Sequence, residues 1–399
     1  MAGEEPGMPP VLFAADIQVS RTTTNQHWSG SFLMRPEKID KIQHQVLSWF
    51  ERNGRDLPWR KSYSPYQVWI SEIMLQQTQV KTVVPYFLRW MERFPDPAAV
   101  AAAGERDIML AWEGLGYYTR AKNIHRTAQV LVSNFGGRIP ADFNSLLALP
   151  GIGRYTAGAI QSIAFNLDSP AVDANAARIL RRLFNRLDSS GSAASERALR
   201  KLAAEILPKG RARQFNQALM DLGATICLPE SPRCDCCPLT EFCEGKECGL
   251  SELESGPNRG RPATPIEVSV GVIVRDGRIF IQKRPDSGLM PSLWEFPGGK
   301  TKEGESPKKA VAREVEEELG IGVRPVEKLA LIRHCYTRFR VALHAYLCEV
   351  RDPLPRKEPV LRAAVECRWV LPAELAHYPF PAANRKLIGI LLDRFGNSA

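Results

Sequence analysis

Four cysteines, Cys227, Cys234, Cys237 and Cys243, fall within 17 positions, separated by six, two and five residues. Thiolates this close can converge on one metal centre. They select soft partners, chiefly zinc or an iron–sulfur cluster. A structural zinc site usually carries two short C-x-x-C knuckles separated by a longer stretch. Here one C-x-x-C has a wider arm on each side. The spacing favours a [4Fe–4S] cluster and leaves zinc open. Cys236 is the odd thiol inside the loop, and the other four cysteines are dispersed.

Two carboxylates and an acidic helix offer further chemistry. Glu72 lies in Trp69-Ile70-Ser71-Glu72-Ile73-Met74, among largely apolar neighbours. Taken alone it reads as a solvated residue on a helix face. In an apolar site its pKa would rise and it could act as a general acid. Asp173 lies in Pro170-Ala171-Val172-Asp173-Ala174-Asn175 and taken alone reads as a helix N-cap. As a pair they supply an acid for a leaving base and an anion for a developing oxocarbenium ion, the two roles that glycosidic cleavage needs. Further on, Gly299, Glu305 and Arg313-Glu314-Val315-Glu316-Glu317-Glu318-Leu319-Gly320-Ile321 fit a Nudix signature. Glu314, Glu317 and Glu318 recur at i, i+3 and i+4, so one helical face presents three carboxylates. Hard oxygen ligands bunched in this way suit Mg²⁺.

These groups need elements to position them. Residues 36–225 read as consecutive amphipathic helices, as in Ile39, Ile42, Val46, Leu47 and Phe50. Within them Leu149-Pro150-Gly151-Ile152-Gly153-Arg154-Tyr155 is a helix stop, a tight glycine turn and a helix start. Gly151 and Gly153 permit close backbone approach, and amides at the next helix N-terminus can hold a phosphate without reading sequence. That is the physics of a helix–hairpin–helix clamp on DNA. The cysteine loop occupies 226–248. Residues 249–264 are rich in Gly, Pro, Ser and charge and read as a linker. From 265 to 399 the texture becomes α/β: strands at 266–274 and 278–283 flank an Asp276-Gly277 turn, a helix spans 306–319, and 328–350 is again strand-like. Residues 1–35 read as a disordered lead-in. The expected fold is therefore an all-α domain with a metal loop, followed by an α/β domain.

The 399 residues carry a formal net charge of +9, which suits a polyanionic partner. No apolar run is long enough to span a bilayer. No secretory signal is evident, and cysteine usage suggests a reducing compartment. The expectation is a monomer in the cytoplasm, or in the nucleus of a eukaryote, with no membrane partner.

The combination of Leu57-Pro58-Trp59-Arg60, the Glu72 segment, Gly114-Leu115-Gly116-Tyr117-Tyr118, the hairpin, Val172-Asp173-Ala174-Asn175 and the cysteine loop resembles the helix–hairpin–helix, iron–sulfur DNA glycosylases. Within that superfamily the chain is similar to MutY-type adenine DNA glycosylases. The resemblance implies removal of adenine mispaired with 8-oxoguanine or guanine in double-stranded DNA. It implies that Glu72 protonates adenine, that Asp173 stabilises the oxocarbenium ion, and that Tyr155 and Asn175 position them. Arg60 and Gln217 would contact the flipped adenine, and Gln77 and Tyr117 would wedge into the base stack. Cys227, Cys234, Cys237 and Cys243 would ligate [4Fe–4S]. Endonuclease III-type enzymes are similar but carry a lysine at the place of Tyr155. A phenol forms no Schiff base, so the resemblance implies a monofunctional enzyme.

Relatives of this type carry a Nudix-like domain with a degenerate box, used to recognise 8-oxoguanine. Here the box reads intact, which raises a second expectation of Mg²⁺-dependent hydrolysis of an oxidised nucleotide. His334-Cys335-Tyr336-Thr337-Arg338-Phe339 resembles the family's Phe-Ser-His loop. In it Tyr336 would pack beside the lesion and Thr337 would stand in the serine's place.

Overall fold

The computed structural model describes residues 35–185, 192–249, 263–336, 339–351 and 359–395. The expected lead-in, most of the linker, and Thr337 with Arg338 lie outside the described residues.

The first half is helical. α1 (Pro36–Asn53), α2 (Pro65–Leu75), α3 (Val80–Arg93), α4 (Pro97–Ala102), α5 (Glu105–Trp112) and α6 (Thr119–Phe135) are followed by α7 (Phe143–Leu147) and α8 (Arg154–Ala159). α9 (Ala174–Phe184), α10 (Ala193–Glu205), α11 (Ala212–Thr225) and the short α12 (Glu244–Glu247) complete it. Local chemistry sets many of the ends. Asp96, Asp142, Asp173 and Ser192 each accept a backbone N–H as N-caps, and Pro65 and Pro97 sit where a helix start needs no donor. α2 is the central helix. Val68, Trp69, Ile70, Ile73 and Met74 bury it on all sides, against Phe87, Trp90, Ile124 and Ile160 among others.

The hairpin before α8 is a turn in which Gly151 adopts φ +77° and an added Cβ would lie 2.7 Å from the Asn123 Cβ. Thr127 Oγ1 donates to the Pro150 carbonyl at 2.7 Å and pins the turn to α6. Gly151 and Gly153 are both exposed, and a Cβ on Gly153 would meet nothing within 4 Å. The turn thus presents open backbone outward.

The second half is a mixed sheet with a helix on each face. Its strands are β1 (Thr264–Arg275), β2 (Arg278–Lys283), β3 (Trp294–Glu295), β4 (Gly298–Lys300), β5 (Val323–Cys335), β6 (Phe339–Val350) and β7 (Glu366–Val370). The order is β3-β2-β1-β6-β5, with β4 on β1 and β7 on β2; β1 and β6 run parallel. α13 (Pro307–Leu319) buries Val311, Val315 and Leu319 against Ile273 and Phe280. α14 (Ala382–Phe395) buries Leu387, Ile388 and Leu391 on the other face, against Val270, Val272 and Ile281. The expected all-α then α/β architecture is what the structure shows.

The halves touch directly. Leu293, in the loop before β3, is fully buried within the helical core, and Met290 packs against the same core. Lys122 on α6 is 6% exposed; its Nζ donates to Asp286 at 2.8 Å and bonds Ser292.

Candidate active site

α2 and α9 bring Glu72 and Asp173 to one open cleft of about 1830 Å³, also lined by Arg60, Gln77, Tyr155, Asn175 and Gln217. The solvated reading of Glu72 is overturned: the residue is 5% exposed, because α2 has no polar face to carry it. Burial pushes its carboxyl up from 4.5 to about 7, against the hydrogen bond from Tyr155 and with help from the Asp173 charge. Tyr155, on the first turn of α8, donates from Oη to Glu72 Oε2 at 2.5 Å. Burial, and then the charge on Glu72, push the phenol well above its ordinary value.

Asp173 is the N-cap of α9, as the sequence suggested, and more. Its Oδ1 accepts from the Ala176 amide at 2.7 Å, and its Oδ2 accepts from Asn175 Nδ2 at 2.9 Å. Burial raises its carboxyl even so. Asn175 is itself fixed: Arg178 Nη2 donates to its Oδ1 at 2.9 Å, and an added Cβ on Gly223 of α11 would lie 2.5 Å from its Cβ. Two carboxyls with raised pKa values in one cleft cannot both ionise easily, so their roles are pushed apart.

Behind Arg55 and Arg60, which line the cleft, lies a residue that the sequence reading missed. Asp221 on α11 is fully buried and accepts from Arg60 Nη1 (2.7 Å) and Nη2 (2.9 Å) and from Arg55 Nε (2.8 Å) and its backbone N (3.0 Å). Burial works to raise this carboxyl, but the Arg60 and Arg55 bonds outweigh it and hold it below its ordinary value. The guanidinium of Arg60 is thus bidentate to Asp221, and its edge lines the cleft beside Glu72. Gln217 is 2% exposed, with Nε2 donating to the Arg213 carbonyl at 3.0 Å, which leaves its Oε1 for another donor. The signal for Asp221 was a lone carboxylate in Ala218-Leu219-Met220-Asp221-Leu222, an apolar stretch that only a cation could make habitable.

Gln77 and Tyr117 lie on two neighbouring loops. Both hold the left-handed backbone region, at φ +55° and +48°, and Tyr117 is 40% exposed. Tyr118, beside it, is 5% exposed and belongs to the core. One buried cation joins the loops. Arg120 Nη1 donates to the carbonyls of Ile73, Met74 and Gln76, while Nη2 reaches Thr78 Oγ1 and the carbonyls of Leu115 and Gly116. Its guanidinium also lies 5.5 Å from the Tyr117 ring centroid. Outward-facing side chains on strained backbone, held by one such staple, are suited to pressing into another surface.

Cys227, Cys234, Cys237 and Cys243 line one small cavity with Arg182, while Cys236 is exposed and outside that wall. Burial, together with the neighbouring cysteines, pushes the Cys237 thiol up to about 12. Ionising Cys237 there therefore calls for a positive centre beside it. Among the described residues, no three His, Cys, Asp or Glu side chains gather closely enough to ligate one ion. Four thiols around one cavity, no three of them close enough to share a single ion, thus fit a group larger than one zinc.

The acidic face of α13 departs from expectation. Arg313 takes Glu305 Oε1 and Oε2 at 2.8 Å each, Glu314 at 2.7 Å and Glu317 at 3.0 Å. Glu318 turns inward to Gln282 and the Gly298 amide, and burial lifts it to about 7. Glu314 and Glu317 converge on one nitrogen, Arg313 Nη1, which already fills the space a cation would take, and Glu318 is bound to Gln282, so the three do not fit Mg²⁺ as arranged. Accordingly, the full chain with Mg²⁺ and 8-oxo-dGTP is expected to release no pyrophosphate. Release that Glu317→Gln abolishes would reinstate the hydrolase expectation. Tyr336, at the end of β5, accepts from the Ala383 amide at 3.2 Å and packs against the sheet core.

No helix among the described residues is long and apolar enough to cross a membrane. Residues 70–205 match the HhH-GPD superfamily of base excision DNA repair proteins, and residues 269–389 match the NUDIX domain. The adenine DNA glycosylase of Rattus norvegicus is 30% identical over 406 residues, covering 88% of this chain and 78% of that protein. That of Buchnera aphidicola subsp. Schizaphis graminum is 43% identical over 261 residues, covering 64% of this chain and 74% of that protein. The structure of a thermostable thymine-DNA glycosylase superimposes with TM-score 0.50 and 29% identity, covering 53% of this chain and 98% of that one. Matched in both halves, and sharing 30% identity with a relative most of whose length it spans, the chain belongs to the adenine DNA glycosylase family.

Proposed function

We propose that this protein hydrolyses the N-glycosidic bond of adenine paired with 8-oxoguanine or guanine in duplex DNA, without cutting the strand. The observation that carries this is the pairing in one cleft of buried Glu72, lifted to about 7, with buried Asp173. At neutral pH Glu72 retains a proton for much of the time. Tyr155 occupies its Oε2, so that proton resides on Oε1, free to pass to a ring nitrogen of the leaving adenine. Protonation lets the base depart neutral. Positive charge then develops on the sugar, and Asp173, oriented by Asn175 and the Ala176 amide, stabilises it until water adds. Arg60 and Gln217 edge the pocket that the flipped base would occupy. Gln77 and Tyr117 fill the gap it leaves, and the Gly151–Gly153 turn binds phosphate.

Cys227, Cys234, Cys237 and Cys243 would hold a [4Fe–4S] cluster. When bound it supplies the bonds that fold the 227–243 loop against α9 and α12. The exposed Arg233 and Lys246 on this stretch would then face DNA phosphates. The C-terminal domain, through Tyr336 and its loop, would recognise the 8-oxoguanine.

The test is single-turnover base release from a duplex with one A:8-oxoguanine pair, run with borohydride present. Free adenine, an abasic site that breaks only on alkali, and no trapped protein–DNA adduct are expected. A borohydride adduct would replace this reading with a glycosylase/lyase; no adenine release would remove it.

A further inference from the structure

One side chain of α14 reaches across to the helical half. Arg385 donates from Nε to Glu113 Oε1 at 2.5 Å and from Nη2 to Glu113 Oε2 at 2.6 Å. Two parallel charge-assisted bonds fix orientation as well as distance. The Glu113 side chain is 13% exposed, so solvent screens the pair little. Each partner is also anchored at home. Arg385 Nη2 holds the Tyr378 carbonyl at 2.6 Å, and the Glu113 carbonyl accepts from Tyr86 Oη at 2.8 Å.

The position of this pair is what gives it consequence. Glu113 caps α5 and immediately precedes the turn that carries Tyr117, where Gly114 holds φ +97° and Gly116 +73°. At the other end, Arg385 lies two residues after Ala383, whose amide holds the Tyr336 hydroxyl. The turn bearing exposed Tyr117 and the strand end bearing half-buried Tyr336 are therefore joined by a short rigid path: Tyr336, the start of α14, Arg385, Glu113, Gly114. The Lys122 contacts to Asp286 and Ser292 keep the halves apposed independently of this pair.

We propose that Glu113–Arg385 is a positioning pair for opposite-base selectivity, tying the conformation of the 114–117 turn to the seating of Tyr336. This rests on the reading that the C-terminal domain recognises the base opposite the adenine. A correct base seated at Tyr336 then favours the turn geometry in which Tyr117 supports extrusion, and a wrong base does so less. Selectivity is a coupling free energy between the two contacts, and the ion pair carries it.

The test compares wild type, Glu113→Gln, Arg385→Met and the double variant. Adenine release is measured on A:8-oxoguanine and A:G duplexes, and amide hydrogen exchange at residues 114–118 in the free protein. Each single variant is expected to reduce the preference for 8-oxoguanine about tenfold, a typical coupling, with the A:G rate little changed. The double variant should be no worse than either single, because both remove the same interaction. Exchange at the turn should quicken in all three. Equal slowing on both duplexes, additive effects or unchanged exchange would overturn the proposal; a role confined to bracing Tyr378 would give additive effects. Should wild type release no adenine, the functional reading falls, and exchange alone decides the pair.

Discussion

Asp173→Asn is expected to lose adenine release by about 10²–10³-fold, the scale set by removing a principal electrostatic stabiliser from a transition state. The substitution separates the two jobs of this side chain. Asparagine caps a helix about as well as aspartate, so α9 keeps its start and the Ala176 amide keeps its acceptor. What disappears is the negative charge facing the sugar, together with the acceptor for Asn175 Nδ2. The oxocarbenium ion then develops in a cleft where Arg55 and Arg60, offset only by Asp221, leave a net positive charge. Relief of a buried carboxyl is offset by the lost bond from Asn175, so stability should change little. Single-turnover release beside a thermal melt checks both halves of the expectation. Activity within tenfold of wild type would show that Asp173 is only a cap.

Glu72→Gln is expected to slow release by about 10²–10⁴-fold, the usual contribution of a general acid. An amide accepts from Tyr155 as the carboxylate does but carries no proton to give. The wild-type rate should hold below pH 7 and fall as pH rises through the Glu72 value of about 7. Stability should move with the same proton. The folded pKa lies above the ordinary 4.5, so between those values the folded chain retains a proton that the unfolded chain has released. Stability from this group is therefore full below about pH 4.5 and is lost as pH rises toward 7. Glutamine never ionises, so the variant should be the more stable protein at pH 8, by an upper limit of ~3 kcal/mol. Denaturant midpoints for both proteins at pH 5 and pH 8 give the comparison. An equal difference at the two values would mean that Glu72 does not titrate in this window.

Much of the architecture was legible because it is written locally. Helix spacing, the Pro150–Gly153 turn and the change of texture after residue 264 each report on a few neighbouring residues. What escaped depends on partners far along the chain. Glu72 was read as solvated because its own window says nothing about Trp90 or Ile160, which close over α2 from elsewhere. Yet Val68, Trp69, Ile70, Ile73 and Met74 leave that helix no polar side, and this was available to see. Asp221 finds its cations 161 and 166 residues away, a pairing no periodicity encodes. The acidic face of α13 reads as three equivalent carboxylates, while Arg313 takes Glu314 and Glu317 and the Gly298 turn takes Glu318. Composition at 249–264 marks two domains with a linker, whereas Leu293 of one completes the apolar core of the other through contacts far along the chain.

The Arg120 staple also bears on how the chain is made. The carbonyls of Ile73, Met74 and Gln76 precede it by 47, 46 and 44 residues. A ribosome adding about 5–20 residues per second takes roughly 2–9 seconds to cover that stretch. Through that interval the end of α2 and the Gln77 bend lack the cation that satisfies them. Their final shape must await the arrival of α6, together with the 115–117 loop that shares the same guanidinium. The two loops are thus born apart and set together, in a single late event on the nascent chain.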